Sequence, residues 1–393
     1  MMTVGIILAG GKGTRLRPLT YFRPKPLVPI GNRPIIDYVI DVFIKHGITK
    51  ILVLVNYLGE SIRNYLVQRN FPKDIELKVL NLNSIDTADA VRKARHEIEG
   101  DFIVSMGDIL SNINLSNLMK FHRKNKGIAT VALKEYENPL EYGVTLIDRN
   151  DRIVLFLEKP LSYELYLTSL AYHKSSIKFL HGNLVNAGVY AFKEEILDII
   201  TQNPHLLDWG KHVFPYLLEN NYPVYGWIMG KSYWLDIGNP SKYLRANIDI
   251  LSGSTFPIKP IGRYLHGIWT MGDIEIRSNA KIIPPVAIGN GVIIEAYATV
   301  GPYTVLGDNC KVGKSAIIKR SVVWEEASIG ENSKIVSTIL ADNVLIGKNV
   351  SIIKSIIGKN VVIEEGVTLD NIAIEPKTRI LAKEKLKEVM SIN

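Results

Sequence analysis

Near the start of the chain, Val4-Gly5-Ile6-Ile7-Leu8-Ala9-Gly10-Gly11-Lys12-Gly13-Thr14-Arg15-Leu16-Arg17-Pro18-Leu19-Thr20, with Arg23-Pro24-Lys25-Pro26 close behind, concentrates residue types that hold phosphate. Lys12, Arg15, Arg17, Arg23 and Lys25 supply five cations, while Gly10, Gly11 and Gly13 supply bare backbone. Glycine lets main-chain N–H groups approach a ligand with no Cβ in the way. Such donors beside cations suit a polyphosphate. Two common nucleotide loops do not match: a P-loop needs Gly-Lys-Ser/Thr, whereas Gly13 separates Lys12 from Thr14, and a dinucleotide fingerprint needs a glycine where Leu16 stands.

The elements around this loop read as alternating strand and helix. Residues 4–8 form a short apolar run suited to a buried strand that ends at the glycines. Apolar residues at helical spacing over 35–44, closed by Gly47, predict a helix; 50–55 is an unbroken apolar strand; 60–68 and 76–80 repeat the pair. Another helix is expected over 91–98. Alternation of this kind predicts an α/β fold with a largely parallel sheet covered by helices, and ligands at the carboxyl ends of its strands. Residues 102–106 form a further buried strand, followed by Gly107-Asp108. A lone aspartate there suits either a helix N-cap or magnesium, which prefers one or two carboxylates plus phosphate oxygens and water.

The 393 residues are enough for two substantial cores. No apolar run approaches the about 20 residues of a membrane span and no signal peptide opens the chain, so a cytoplasmic protein without membrane contact is expected. The single cysteine, Cys310, excludes an internal disulfide and a multi-cysteine metal site; burial is its simplest reading. The net charge of +8 is spread along the chain without interleaved aromatics, which argues against nucleic acid as a partner.

From Ile288 a six-residue rhythm sets in: Ile288, Ile294, Val300, Leu306, Val312 and Ile318, four of them followed by glycine. After a one-residue slip it continues through Ile329, Ile335, Ile346, Ile352, Ile357, Ile363 and Leu369. This is the hexapeptide repeat of a β-helix, whose aliphatic residues point into a prism-like core. Such a coil needs caps and commonly packs against other copies, so a homo-oligomer formed through it is expected. Residues 381–390 have the periodicity of a capping helix. All eight histidines lie at or before His266, which leaves the coil without the general base that acyl transfer uses and favours a scaffolding or regulatory part for it. The boundaries expected are 1–250, a linker at 251–262 rich in Pro and Gly, the β-helix at 263–380 and the cap at 381–393.

The opening segment closely resembles the signature of the sugar nucleotidyltransferases, a Leu-x-Ala-Gly-Gly-x-Gly-Thr-Arg-Leu-x-Pro-Leu-Thr run followed by Pro-Lys-Pro. Over about the first 250 residues the chain resembles this family, and with its coil it is similar to two-domain members that include mannose-1-phosphate guanylyltransferases. The resemblance implies a Rossmann-like nucleotidyltransferase domain followed by a left-handed parallel β-helix. It implies that a nucleoside triphosphate and a sugar 1-phosphate react to give a nucleotide sugar and pyrophosphate, with GTP and mannose 1-phosphate the first choice and thymidylyl or uridylyl transfer to glucose 1-phosphate the alternative. By the same resemblance Leu8, Ala9, Gly10, Gly11, Gly13 and Thr14 hold the nucleotide, Arg15 the leaving pyrophosphate, and Lys25 the transition state. Asn81, Asn83 and Thr87 fall where the family reads the base, although Asp86 replaces the glycine of its Gly-Thr-Ala turn. Tyr142-Gly143-Val144, Glu158-Lys159-Pro160 and the Asn186 segment match the sugar-phosphate side in order, which assigns Gly143, Glu158, Lys159 and Asn186 to the sugar phosphate. Asp108 and Asp236 would share Mg2+. Non-catalytic regulatory relatives with this architecture are the competing class; they typically lose metal or lysine positions, all of which are present in this chain.

Overall fold

The computed structural model describes residues 3–137, 139–161 and 183–382. Two compact units are present, one built from Met1–Gly11 and Tyr38–Trp234, the other from Lys12–Asp37 and Leu235–Asn393. Among the described residues no helix is long and apolar enough to cross a membrane.

The first unit is organised on a nine-stranded sheet. Its strands are β1 (Val4–Leu8), β2 (Lys50–Val55), β3 (Glu76–Asn81), β4 (Phe102–Met106), β5 (Ala129–Glu135), β6 (Gly143–Ile147), β7 (Ile153–Glu158), β8 (Leu184–Phe192) and β9 (Val224–Ile228). They run in the order β7-β6-β8-β4-β1-β2-β3, with β5 joined to β8 and to β9. β1, β2, β3 and β4 are parallel neighbours, as the continuous apolar runs predict. Beyond β4 the sheet becomes mixed: β8 runs against β4, β5 and β6, while β9 runs parallel to β5. All five residues of β1 are buried. Because β1 leads to β2 on one side and is flanked by β4 on the other, the strand order reverses there, which opens a crevice at the strand ends. Packed on the sheet is an aromatic stack in which the Phe192 and Trp209 rings lie 4.4 Å apart and Phe214 adjoins both.

The helices agree with their expected positions at Ile35–Lys45 and Gly59–Val67. The third differs. It spans Thr87–Lys93, starting four residues before the expected place, because the Asp86 carboxylate accepts the Thr87 N–H at 2.9 Å and caps it; a 3-10 turn at Arg95–Glu97 takes the remainder.

In the second unit the repeat forms a left-handed β-helix whose faces are parallel sheets of eight, seven and six strands, the first begun by one antiparallel strand, Arg263–Leu265. Ile288, Ile294, Val300, Leu306, Val312, Ile318, Ile329, Ile335, Ile346, Ile352, Ile357, Ile363 and Leu369 all lie in its core, with Cys310 fully buried among them. Each such side chain is worth about 1.5–3 kcal/mol when taken from water. The single slip seen in the repeat recurs at one corner. Ile268 pairs with Val286 and Val286 with Thr304, a rise of 18 residues per coil, whereas Ile318 pairs with Ile335 and Ile335 with Ile352, a rise of 17. Left-handed residues turn the corners, and at Arg320, Ser337, Lys354 and Asn371 the turn is one residue shorter. A ladder of buried hydroxyls stitches this tight corner. The Thr338 N–H donates to Ser321 Oγ, the Ser355 N–H to Thr338 Oγ1 and the Ile372 N–H to Ser355 Oγ, at 3.2–3.3 Å. The expected capping helix at 381–390 falls largely outside the described residues.

Candidate active site

In the first unit, the candidate nucleotide loop leaves the carboxyl end of β1. Leu8 and Met106 are register partners, so Ala9-Gly10-Gly11 and Gly107-Asp108 emerge side by side at the reversal of strand order. Backbone bonds pin the loop at Ala9 N–H to Leu54 O, 2.8 Å, and Tyr57 N–H to Gly10 O, 3.3 Å. A Cβ on Gly11 would meet nothing within 4 Å, so packing does not demand glycine there, and its open face is free for a ligand. Asp108 is followed by a strand, Ile109–Ser111, so it caps no helix.

The region expected to read the base is held by its own bonds. Asn81 ends the sheet-edge strand β3, and its amide reaches Glu60 at 3.4 Å. The Asn83 carbonyl accepts from Lys93, while Asn56 donates to Ser84 O at 2.8 Å. The Thr87 hydroxyl donates to Asp208 Oδ2 at 2.8 Å and accepts the Trp209 N–H at 3.1 Å. Asp86 faces Asp208 as well; partial burial first, then that neighbouring carboxylate, raise its pKa above the ordinary range. Asp208 is a member of this cluster that sequence reading missed. No local motif marks it, and 121 residues separate it from the threonine it engages.

On the side expected for the sugar phosphate, Gly143 and Glu158 are cross-strand partners on β6 and β7. The Glu158 carboxylate lies between two bare backbones, for a Cβ on Gly143 would come within 2.8 Å of Oε2 and one on Gly210 within 2.6 Å. Burial pushes the Glu158 carboxyl above its ordinary range, partly offset by Lys159, whose Nζ lies 3.4 Å from Oε1. Lys159 takes φ +48 and its N–H donates to Tyr142 O at 3.1 Å, which turns the chain after β7. Asn186 is engaged within its own strand: its amide donates to the Tyr190 hydroxyl at 2.9 Å and its Oδ1 accepts the Gly188 N–H at 2.9 Å, across a bulge. These bonds orient the amide and use one of its two N–H donors and one of its two oxygen lone pairs.

In the second unit, Gly13 has φ +61 and starts a 3-10 turn at Thr14–Leu16, fixed by the Thr20 hydroxyl on Gly13 O at 2.7 Å. A side chain on Gly13 is excluded twice, by its torsion and because a Cβ would lie 3.2 Å from that of Lys25. The Pro-Lys-Pro segment is thus folded against Gly13. Lys25 begins its own 3-10 turn, Lys25–Leu27. Asp236 and Arg15 meet at Gly238, where a Cβ would be 2.3 Å from Asp236 Oδ2 and 3.6 Å from Arg15 Nη2. Lys242, a cation that sequence reading passed over, donates to Asp236 Oδ1 at 3.2 Å. Its position in the first turn of the helix Pro240–Ser252, six residues after Asp236, was the available signal.

Arg17 and Arg23 of the clustered cations are engaged elsewhere. The Arg17 guanidinium lies 4.6 Å from the Tyr21 ring centre, and Arg23 is bound by carboxylates of the β-helix.

Among the described residues no three His, Cys, Asp or Glu side chains gather as a self-sufficient metal cage. Magnesium beside a polyphosphate does not require one, since substrate oxygens and water complete its shell. Asp108 and Asp236 are hard-oxygen donors of the appropriate kind, and Asp236 already faces a cation through Lys242.

Comparison with known proteins bears on these features. Residues 4–253 match the family model described as nucleotidyl transferase, and residues 265–369 match that of the EIF2B subunit epsilon LbH domain. The chain is 29% identical over 337 residues to a UTP–glucose-1-phosphate uridylyltransferase of Synechocystis sp., covering 81% of this chain and 82% of the relative. It is 30% identical over 335 residues to a probable mannose-1-phosphate guanylyltransferase 1 of Oryza sativa, covering 81% and 85%, and 33% identical over 336 residues to the bifunctional protein GlmU of Methanococcus aeolicus, covering 82% and 73%. With a β1 glycine loop at the reversal of strand order and a family match over residues 4–253, the chain belongs to the nucleotidyl transferase family.

Proposed function

We propose that this chain joins a nucleoside triphosphate to a sugar 1-phosphate, releasing pyrophosphate, and that GTP and mannose 1-phosphate are its pair. The observation that carries the reading is the packing of Lys25 of the Pro-Lys-Pro segment against Gly13, the last glycine of the signature run. Mannose and guanine are favoured by the guanylyltransferase of Oryza sativa, aligned over 85% of its own length, against 73% for the GlmU relative. Glucose 1-phosphate with UTP is the alternative, supported by the Synechocystis relative.

In the proposed reaction an oxygen of the sugar phosphate attacks the α-phosphorus, a new P–O bond forms, and the bond to the bridging oxygen of pyrophosphate breaks. The nucleophile is already anionic, so no general base is needed. The residues have to position two mutually repelling anions and offset the charge that grows on the leaving group. The backbone of Leu8, Ala9, Gly10, Gly11, Gly13 and Thr14 binds the nucleotide, Arg15 takes the leaving pyrophosphate, and Lys25 stabilises the transition state. Asn81, Asn83 and Thr87 border the base; Gly143, Glu158, Lys159 and Asn186 hold the sugar phosphate, with Thr87 linked to Asp208 on that same side of the unit. Asp108 and Asp236 are the proposed ligands of magnesium, which when bound supplies charge neutralisation on the phosphates. Residues 1–250 are assigned to catalysis, 251–262 to a linker and 263–380 to the β-helix, through which copies associate in a cytoplasmic enzyme.

Replacement of Lys25 by alanine tests the central role. Turnover of GTP and mannose 1-phosphate should fall at least a hundredfold with the fold intact by circular dichroism; near-full activity would remove Lys25 from the mechanism.

A further inference from the structure

Lys25 sits in a segment that the β-helix grips on both sides. Two residues before it, Arg23 Nη2 lies 2.9 Å from Asp342 Oδ1 and 3.0 Å from Glu325 Oε2. The same guanidinium lies 4.8 Å from the centre of the Trp324 ring. Downstream, the buried Tyr243 hydroxyl donates to Pro29 O at 2.6 Å and accepts from Trp324 Nε1 at 2.8 Å, and Asn32 donates to Leu306 O at 2.8 Å. Trp324 therefore serves both grips, as the face under Arg23 and as the donor to the tyrosine that holds Pro29.

The periodicity of the coil sets this contact. Glu325, Asp342 and Lys359 are 17 residues apart and occupy equivalent places on successive coils, and Lys359 Nζ approaches Asp342 Oδ2 at 3.8 Å. Asp342 is 8% exposed and Arg23 19%, so solvent screens the pair little. Burial opposes the Arg23 charge, but the two carboxylates outweigh it and hold the guanidinium above its ordinary value. Severing one partner of such a pair strands the other, so the contact is fixed and has few alternatives.

We propose that Arg23 is a positioning residue through which the Glu325–Asp342 edge of the β-helix sets the place of Lys25. This rests on the reading of Lys25 as the group that stabilises the transition state. A displacement of about 1 Å in a catalytic group can cost up to a hundredfold in rate. Since the stabilisation by Lys25 is realised in the transition state, loosening its mount lowers kcat more than it raises KM.

The test pairs steady-state kinetics with hydrogen exchange on Arg23→Ala, Asp342→Asn and the double variant. Asp342→Asn should lower kcat about tenfold with both KM values within twofold, although Asp342 touches no substrate in the proposed mechanism. Its Leu27 and Val28 amides, which close the Lys25 turn on Pro24 O and Lys25 O, should exchange faster than in the parent. Arg23→Ala should show the same loss, and Arg23→Ala with Asp342→Asn no more than either alone. Should Asp342→Asn fold poorly, Arg23→Ala with Asp342→Ala removes both charges together and must show the same kcat defect. Unchanged kcat in a folded variant, additive losses, or unchanged exchange at Leu27 and Val28 would each overturn the proposal. Lys25→Ala in the same assay separates the two ideas: full activity there defeats the role of Lys25, while the exchange result still reports whether Arg23 holds the segment.

Discussion

The Glu158 carboxylate lies against the bare Cα of Gly210, so closely that a Cβ there would stand 2.6 Å from Oε2. The two residues are 52 positions apart in sequence, and the contact depends on glycine at Gly210. Gly210→Ala should therefore push Glu158 aside without touching the nucleotide loop. The KM for sugar 1-phosphate is expected to rise about tenfold, roughly 1.4 kcal/mol, while that for the nucleoside triphosphate stays within twofold.

Glu158 also carries a cost for the fold. Its carboxyl titrates above the ordinary glutamate range because burial disfavours the charged form. Between the unfolded and the raised folded pKa, the folded state binds the proton more tightly. Stability conferred by that proton is present below the unfolded pKa and lost as pH rises through the folded one. Glu158→Gln should consequently raise Tm at neutral pH by a few degrees and have little effect below the range in which glutamate ionises. Thermal unfolding across pH reads this, and activity towards sugar 1-phosphate should fall in the same variant.

The hydroxyl ladder at the short corner predicts a defect of stability without a defect of chemistry. Thr338→Val keeps the shape and removes the acceptor, leaving the Ser355 N–H unpaired in a buried position. The expected loss is about 1–3 kcal/mol in chemical denaturation, with activity per folded molecule retained.

At Asp236, the Lys242 ammonium stands where a second cation would approach. Lys242→Met is expected to lower the half-saturating magnesium concentration about tenfold while reducing kcat, because the competing positive charge is gone. A magnesium titration of initial rate measures both, and chelation of the metal should abolish turnover in the parent.

Much of this architecture is legible in the chain because it is written in local periods. The six-residue rhythm from Ile288 marks the core of the β-helix residue by residue, and the apolar runs at β1, β2 and β4 mark the parallel half of the sheet. Contacts made across long separations are different. Neither Asp208 beside Thr87 nor Gly210 under Glu158 follows from any spacing, since the tertiary fold brings them together. Arg23 is the instructive case. By type and place it reads as a phosphate ligand, yet its partners are Glu325 and Asp342, about three hundred residues away. Asp86 likewise reads as a departure from the family turn, and it caps the helix that begins at Thr87.

The most direct measurement is pyrophosphate release by the purified protein with magnesium, over a grid of nucleoside triphosphates and sugar 1-phosphates. The account predicts release with GTP and mannose 1-phosphate, abolished by Lys25→Ala. Silence in every cell of the grid, with nucleotide-sugar binding still detected by thermal shift, would contradict it and assign the chain to a regulatory part.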